Sequence, residues 1–156
     1  MLQIERMLVS KLHIDLKNSI YYEYEEGKQN TYTYVFVNAL TGNTSAWNGI
    51  IGKRLKDESH GYLTYNFRGQ IYSSFDESIN LTSEIIISDL LMLIDHLNLK
   101  NIILCGVSIG GFYAAIASLE EIDVKGLVLI NTLRKSSPRL DWINRAVVDA
   151  AKLGGC

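Results

Sequence analysis

An α/β fold, with a mostly parallel sheet covered by helices on both faces and an antiparallel hairpin at its N-terminal end, is predicted by three features of this sequence. Two short runs, Asn101 to Val107 and Lys125 to Ile130, are almost purely apolar, the mark of strands covered on both faces. Strand-like and helix-like segments alternate from Tyr32 onward, which calls for parallel strands joined by crossover helices. Before Tyr32, apolar and polar residues alternate singly, as in a sheet with one wet face.

The elements follow in order. Leu8 to Leu16 and Ile20 to Tyr24 form the hairpin, turning near Lys17-Asn18-Ser19. Tyr32 to Leu40 is rich in β-branched and aromatic residues and reads as a strand ended by Thr41-Gly42-Asn43. Trp47 to Leu55 is expected to be one helix, and Gly61 to Phe67 a strand closed by Arg68-Gly69. Thr82 to Leu97 carries Ile86, Leu90, Leu93 and Leu97 on one helical face, with Thr82 or Ser83 as N-cap. Gly110 to Leu119 is small and apolar, suited to a helix lying close on a sheet, and Leu140 to Leu153 places Ile143, Ala146, Val147 and Ala150 at helical spacing. The one proline, Pro138, follows Lys135-Ser136-Ser137 and marks the best boundary in the chain.

Composition narrows the function. The 156 residues suit one domain; 47% are hydrophobic, and the formal charge is −2 with a pI near 5.9. That balance gives no electrostatic drive toward nucleic acid or anionic membrane. No apolar run is long enough to span a bilayer, and Met1 to Leu16 is too charged for a secretory leader. Cys105 lies in an apolar run and Cys156 at the chain end, so no disulfide is expected and a reducing, cytoplasmic setting fits. Asn43-Thr44-Ser45 and Asn80-Leu81-Thr82 are then chance matches to the glycosylation pattern. Gly49-Ile50-Ile51-Gly52-Lys53-Arg54 lacks the spacing and hydroxyl of a phosphate loop, no dinucleotide fingerprint follows a strand, and no Cys/His cluster has metal-ligand spacing. No cofactor or metal is expected. Tyr21, Tyr22 and Tyr24 are read as bracing the hairpin.

The chemistry lies in Leu104-Cys105-Gly106-Val107-Ser108-Ile109-Gly110-Gly111, where Gly-x-Ser-x-Gly joins a buried strand to a small-residue helix. In a nucleophile elbow of this pattern the serine sits on a sharp, strained turn, and flanking glycines remove side chains that would clash. The free N–H groups of the following helix can stabilise a developing oxyanion. A second segment, Asn38-Ala39-Leu40-Thr41-Gly42 with Trp47, follows the predicted third strand. A third, Asn66-Phe67-Arg68-Gly69-Gln70-Ile71-Tyr72-Ser73, follows the fourth.

Together these three segments resemble the α/β-hydrolase fold superfamily of esterase-, lipase- and thioesterase-like serine hydrolases, in its N-terminal part, over about Tyr32 to Asn131. Asn38-Ala39 stands where many members have His-Gly; Asn66 and Ile71 stand for an Asp and a second Gly. The resemblance implies Ser108 as nucleophile, backbone N–H groups of Leu40 and Ile109 as the oxyanion hole, and Gly106 and Gly110 as elbow glycines. It gives the third segment no catalytic role. It implies a small-molecule acyl substrate.

The same resemblance places the acid and then the His after the serine. His13, His60 and His96 all precede Ser108, and Glu120, Glu121, Asp123, Asp141 and Asp149 do not match the expected places, so no triad acid or His is found. Residues 1–156 then read as a single truncated domain, with 1–135 as core sheet and 136–156 as the start of a lid-like helical segment. The uncovered sheet edge predicts self-association. Three functions stay open: hydrolysis of an ester, thioester or related acyl bond; acyl transfer; and a non-catalytic remnant or interaction module with the same fold.

Overall fold

The computed structural model describes residues 7–132 and 137–154. Cys156 and the Lys135-Ser136 part of the expected boundary lie outside the described residues.

The hairpin is β1 (Leu8–His13) and β2 (Ser19–Glu25). β1 ends earlier than the alternation suggested because the Asp15 carboxylate takes over the turn, accepting from the Lys17 and Asn18 N–H groups at 2.8 Å each. β3 (Thr33–Val37), β4 (Gly61–Tyr65), β5 (Ile102–Val107) and β6 (Val124–Ile130) complete one sheet in the order β1-β2-β4-β3-β5-β6. β3 pairs in parallel with β4 and β5, β5 in parallel with β6, and β2 antiparallel with β4. The predicted class is therefore the observed one.

The helices follow the apolar pattern with one difference. In place of one helix over 47–55 there are two, α1 (Ser45–Asn48) and α2 (Ile50–Asp57), broken where Gly49 takes ψ −115° and leaves helical geometry. α3 (Ser83–His96) begins at Thr82, whose hydroxyl accepts from the Ile85 N–H. α4 (Ile109–Ala117) and α5 (Pro138–Lys152) close the series.

Strand alternation splits the core in two. Val35, Val37, Leu63 and Leu104 point to the face covered by Leu90, Leu93 and Ile94 of α3 and Ala114 and Ala117 of α4. Phe36, Tyr62 and Cys105 point the other way, onto Trp47 and Leu55. The chain thus leaves β3 toward one face and β5 toward the other. These are adjacent parallel strands whose exits diverge, which opens a crevice at their carboxyl ends, the usual place for a ligand in such sheets.

Candidate active site

Ser108 stands at that crevice, between β5 and α4, with φ 54° and ψ −123°. This region is sparsely populated for a residue with a side chain, and holding it costs of order 1–3 kcal/mol. The neighbours show what enforces it. The Ser108 N–H is tied to the Ile130 carbonyl at 2.9 Å, and its own carbonyl accepts from the Gly111 N–H at 3.1 Å. A Cβ on Gly106 would lie 2.4 Å from the Gly111 Cα; one on Gly110 would lie 2.3 Å from the Val37 and Asn38 carbonyl oxygens. The start of α4 therefore presses on the end of β3, and only glycine fits the contact. Ser108 is exposed, on the outside of the bend.

The chain after β3 forms the opposite wall. Asn38 is 1% exposed and uses both ends of its amide: Nδ2 donates to the Tyr65 carbonyl at 2.6 Å, and Oδ1 accepts from Trp47 Nε1 at 2.6 Å. These bonds draw the chain out of the sheet, which is why β3 stops at Val37 and not at Leu40. Trp47 also stacks on Phe36 with ring centroids 4.5 Å apart. Asn66 Oδ1 accepts from the Thr44 N–H at 2.9 Å, and Asn66 Nδ2 donates to the Ile71 carbonyl at 2.8 Å. Within the loop the Gly42 N–H donates to the Ala39 carbonyl at 3.0 Å, and Gln70 Nε2 donates to the Leu40 carbonyl at 2.8 Å. The N–H groups of Leu40 and Ile109 donate to no acceptor among the described residues.

A further polar layer braces this wall. Glu23, buried on β2, accepts from Tyr21 Oη, Thr44 Oγ1 and Asn48 Nδ2 at 3.0, 2.7 and 2.6 Å. Loss of solvent around Tyr21, with its hydrogen bond to the Glu23 carboxylate, pushes the phenol up to about 12. Arg68 reaches from the loop after β4 to Asp89 on α3, with Nε 2.7 Å from Oδ2 and Nη2 on Oδ1, and both side chains are buried. Burial raises the Asp89 carboxyl, while Arg68 pulls the other way. Burial also pushes the Cys105 thiol up to about 12, which makes it an unreactive core residue.

The predicted site residues are brought together in part. Ser108, Ile109, Gly110 and the loop carrying Leu40 meet across the crevice, through the contact of Gly110 with Val37 and Asn38. The histidines stay away. His60 packs on Tyr32 and Tyr34 at the amino ends of β3 and β4, and His96 at the end of α3 is 3.5 Å from Tyr22 Oη. His13 ends β1, four strand spacings from β5, or roughly 19 Å across the sheet. Asp123 opens β6 at the far end, paired with Lys125 at 2.6 Å, while Asp141 and Asp149 lie on the exposed α5. No hydrogen bond joins a His or an acid to the Ser108 hydroxyl among the described residues, and none of their His, Cys, Asp and Glu side chains form a metal-binding group. The bracing roles of Glu23, Arg68 and Gln70 went unseen in the sequence. A glutamate set between Tyr22 and Tyr24 of β2 was the only local sign of the first.

A model of the alpha/beta hydrolase fold matches residues 33–153. The chain belongs to the α/β-hydrolase fold family. Among solved structures it is similar to MGS-M2, an alpha/beta hydrolase enzyme from a Medee basin deep-sea metagenome library, with 26% identity and TM-score 0.79 over 93% of this chain and 52% of that one. A carboxylesterase structure from Nitrososphaera gargenis gives 25% identity and TM-score 0.74 over 96% and 54%. The esterase EaEST from Exiguobacterium antarcticum, at 22% identity and TM-score 0.73 over 86% of this chain and 53% of that one, adds the likeness of fold alone. The chain thus spans about half the length of the structures it matches. No curated protein sequence matches it significantly. No helix among the described residues is long and apolar enough to cross a membrane.

Proposed function

We propose that Ser108 is the nucleophile of a serine hydrolase acting on a carboxylic ester, thioester or related acyl bond. The observation that carries the reading is the backbone of Ser108 itself: a non-glycine residue at φ 54°, turned outward where Gly106 and Gly110 let strand, helix and loop close up. Backbone strain clusters at functional sites, where it holds a reactive group in place. In the reaction, Ser108 Oγ attacks the substrate carbonyl carbon as a base accepts its proton. The carbonyl oxygen, now negative, takes hydrogen bonds from the Leu40 and Ile109 N–H groups, which have no other partner among the described residues. Collapse of the tetrahedral species expels the alcohol or thiol, and water then releases the acid from the acyl-serine. An amine or alcohol in place of that water would make the same site an acyltransferase.

The base and the acid that orients it are proposed to come from outside residues 1–156, which we read as the N-terminal part of one such domain. In support, the chain spans about half of its structural matches, and no described His lies beside Ser108. That same lack of a His favours a second reading, a non-catalytic module that retains the fold. A fluorophosphonate probe separates the two when it is applied to the protein together with the segment proposed to carry the base and the acid, because residues 1–156 alone would stay unlabelled under either reading. Covalent labelling of the wild type that is lost in Ser108→Ala is expected of an activated serine; an unlabelled wild type supports the module.

A further inference from the structure

We infer that Gln70 is a positioning residue of this site: by donating its side-chain amide to the loop carbonyls of residues 39 and 40, it sets the direction of the Leu40 N–H. The inference rests on the reading of Leu40 as an oxyanion donor. A trans peptide unit holds its C=O and N–H antiparallel. Whatever fixes the Ala39 carbonyl therefore aims the Leu40 N–H the opposite way. The Ala39 carbonyl accepts from the Gly42 N–H at 3.0 Å and from Gln70 Nε2 at 3.4 Å. The next carbonyl, of Leu40, accepts from the same Nε2 at 2.8 Å. One amide thus spans two successive peptide units on either side of the Leu40 Cα.

Apart from the Gly42 N–H on the Ala39 carbonyl, no other donor among the described residues reaches these two carbonyls. The Leu40 side chain is 76% exposed, so packing does not anchor it, and Ala39 is too small to do so. Gln70, in contrast, is itself fixed. Its Oε1 accepts from the Phe67 N–H at 2.8 Å, and its own N–H donates to the Phe67 carbonyl at 3.0 Å. The turn uses Gly69 at φ 79°, and its neighbour Arg68 is pinned to Asp89. A rigid turn after β4 therefore carries the donor, and the oxyanion loop receives it.

The test compares the wild type with Gln70→Ala and Gln70→Glu. Glutamate keeps the acceptor for the Phe67 N–H but has no N–H to offer the loop, so it separates donation from turn formation. Residual dipolar couplings of the backbone N–H bonds are read in the full chain, with melting temperature as a check on folding. Both variants should melt close to the wild type, change the Leu40 coupling and leave that of Ile109 alone. The rate of fluorophosphonate labelling at Ser108 should fall roughly tenfold to a hundredfold, a share of what a lost oxyanion donor costs. Unchanged Leu40 couplings in the variants would overturn the inference. So would changes spread over the whole of 35–47, which would make Gln70 a general support of the loop. If Gln70→Ala unfolds, Gln70→Glu alone decides. If the wild type takes no label even with the segment proposed to carry the base and the acid present, the nucleophile reading fails, and the couplings still judge Gln70.

Discussion

β5 and β6 read alike in sequence, two short apolar runs of the kind covered on both faces, yet they meet different fates. In β5, Ile102, Leu104 and Cys105 are at most 4% exposed, sealed by α3 and α4 on one side and by Trp47 on the other. In β6, Leu127, Val128, Leu129 and Ile130 are 39–47% exposed, and α5 beyond it buries no residue. A pattern of apolar residues states that a strand is to be covered; it does not state by what. For β5 the cover lies within these residues. For β6 no cover lies among the described residues, and self-association through this edge stays an expectation.

The largest test of this contrast is a pair of truncations. Leu104→Ala should lower the unfolding free energy by about 2–5 kcal/mol in urea titrations, as expected for a packed site. Leu129→Ala should change it by less than about 0.5 kcal/mol. Leu129→Glu should also shift the chain toward monomer in sedimentation velocity. Equal losses at the two leucines would mean that β6 is covered after all. A smaller effect probes the tight end of β5. Ser108→Gly should raise stability by about 1 kcal/mol, because glycine adopts φ 54° without the cost that serine bears. Absence of any gain would remove the strain on which the proposed function rests.

The smallest effect concerns carboxylates at the molecular surface. Hydrogen bonds from Ser78, then Lys17, hold Asp76 down to about 2 from an ordinary 3.8, and backbone or side-chain donors lower Asp15, Asp123 and Glu84. A carboxyl with a depressed folded value takes up its proton in the unfolded chain first. Stability is therefore full above the ordinary value and declines as pH falls from 3.8 toward about 2. Asp76→Asn should flatten that decline in acid titrations followed by circular dichroism by lowering stability at neutral pH, so that variant and wild type converge near pH 2.

The fold was legible because it depends on residue type repeated along the chain: single alternation in β1 and β2, continuous apolar runs in β5 and β6, a helical stripe in α3. The elbow was legible because glycines 106 and 110 flank the serine locally. What escaped was long-range and polar. Gln70 meets Leu40 across 30 residues of sequence, Arg68 meets Asp89 across 21, and Glu23 meets Thr44 across 21. None of these pairs leaves a periodic trace. The break between α1 and α2 escaped for another reason: Gly49 tolerates several backbone conformations, and its neighbours decide which one it takes.

The two tryptophans mark the two ends of this contrast. Trp47 is 6% exposed, stacked on Phe36 and bonded to Asn38 behind the crevice, whereas Trp142 on α5 is 71% exposed. Light absorbed by the chain is therefore emitted from one dry, rigid indole and one wet one. Quenchers dissolved in the solvent reach the second and not the first. Intrinsic fluorescence can then follow docking of a cover onto α5 and loosening of the loop beside Ser108 as separate colours of a single spectrum.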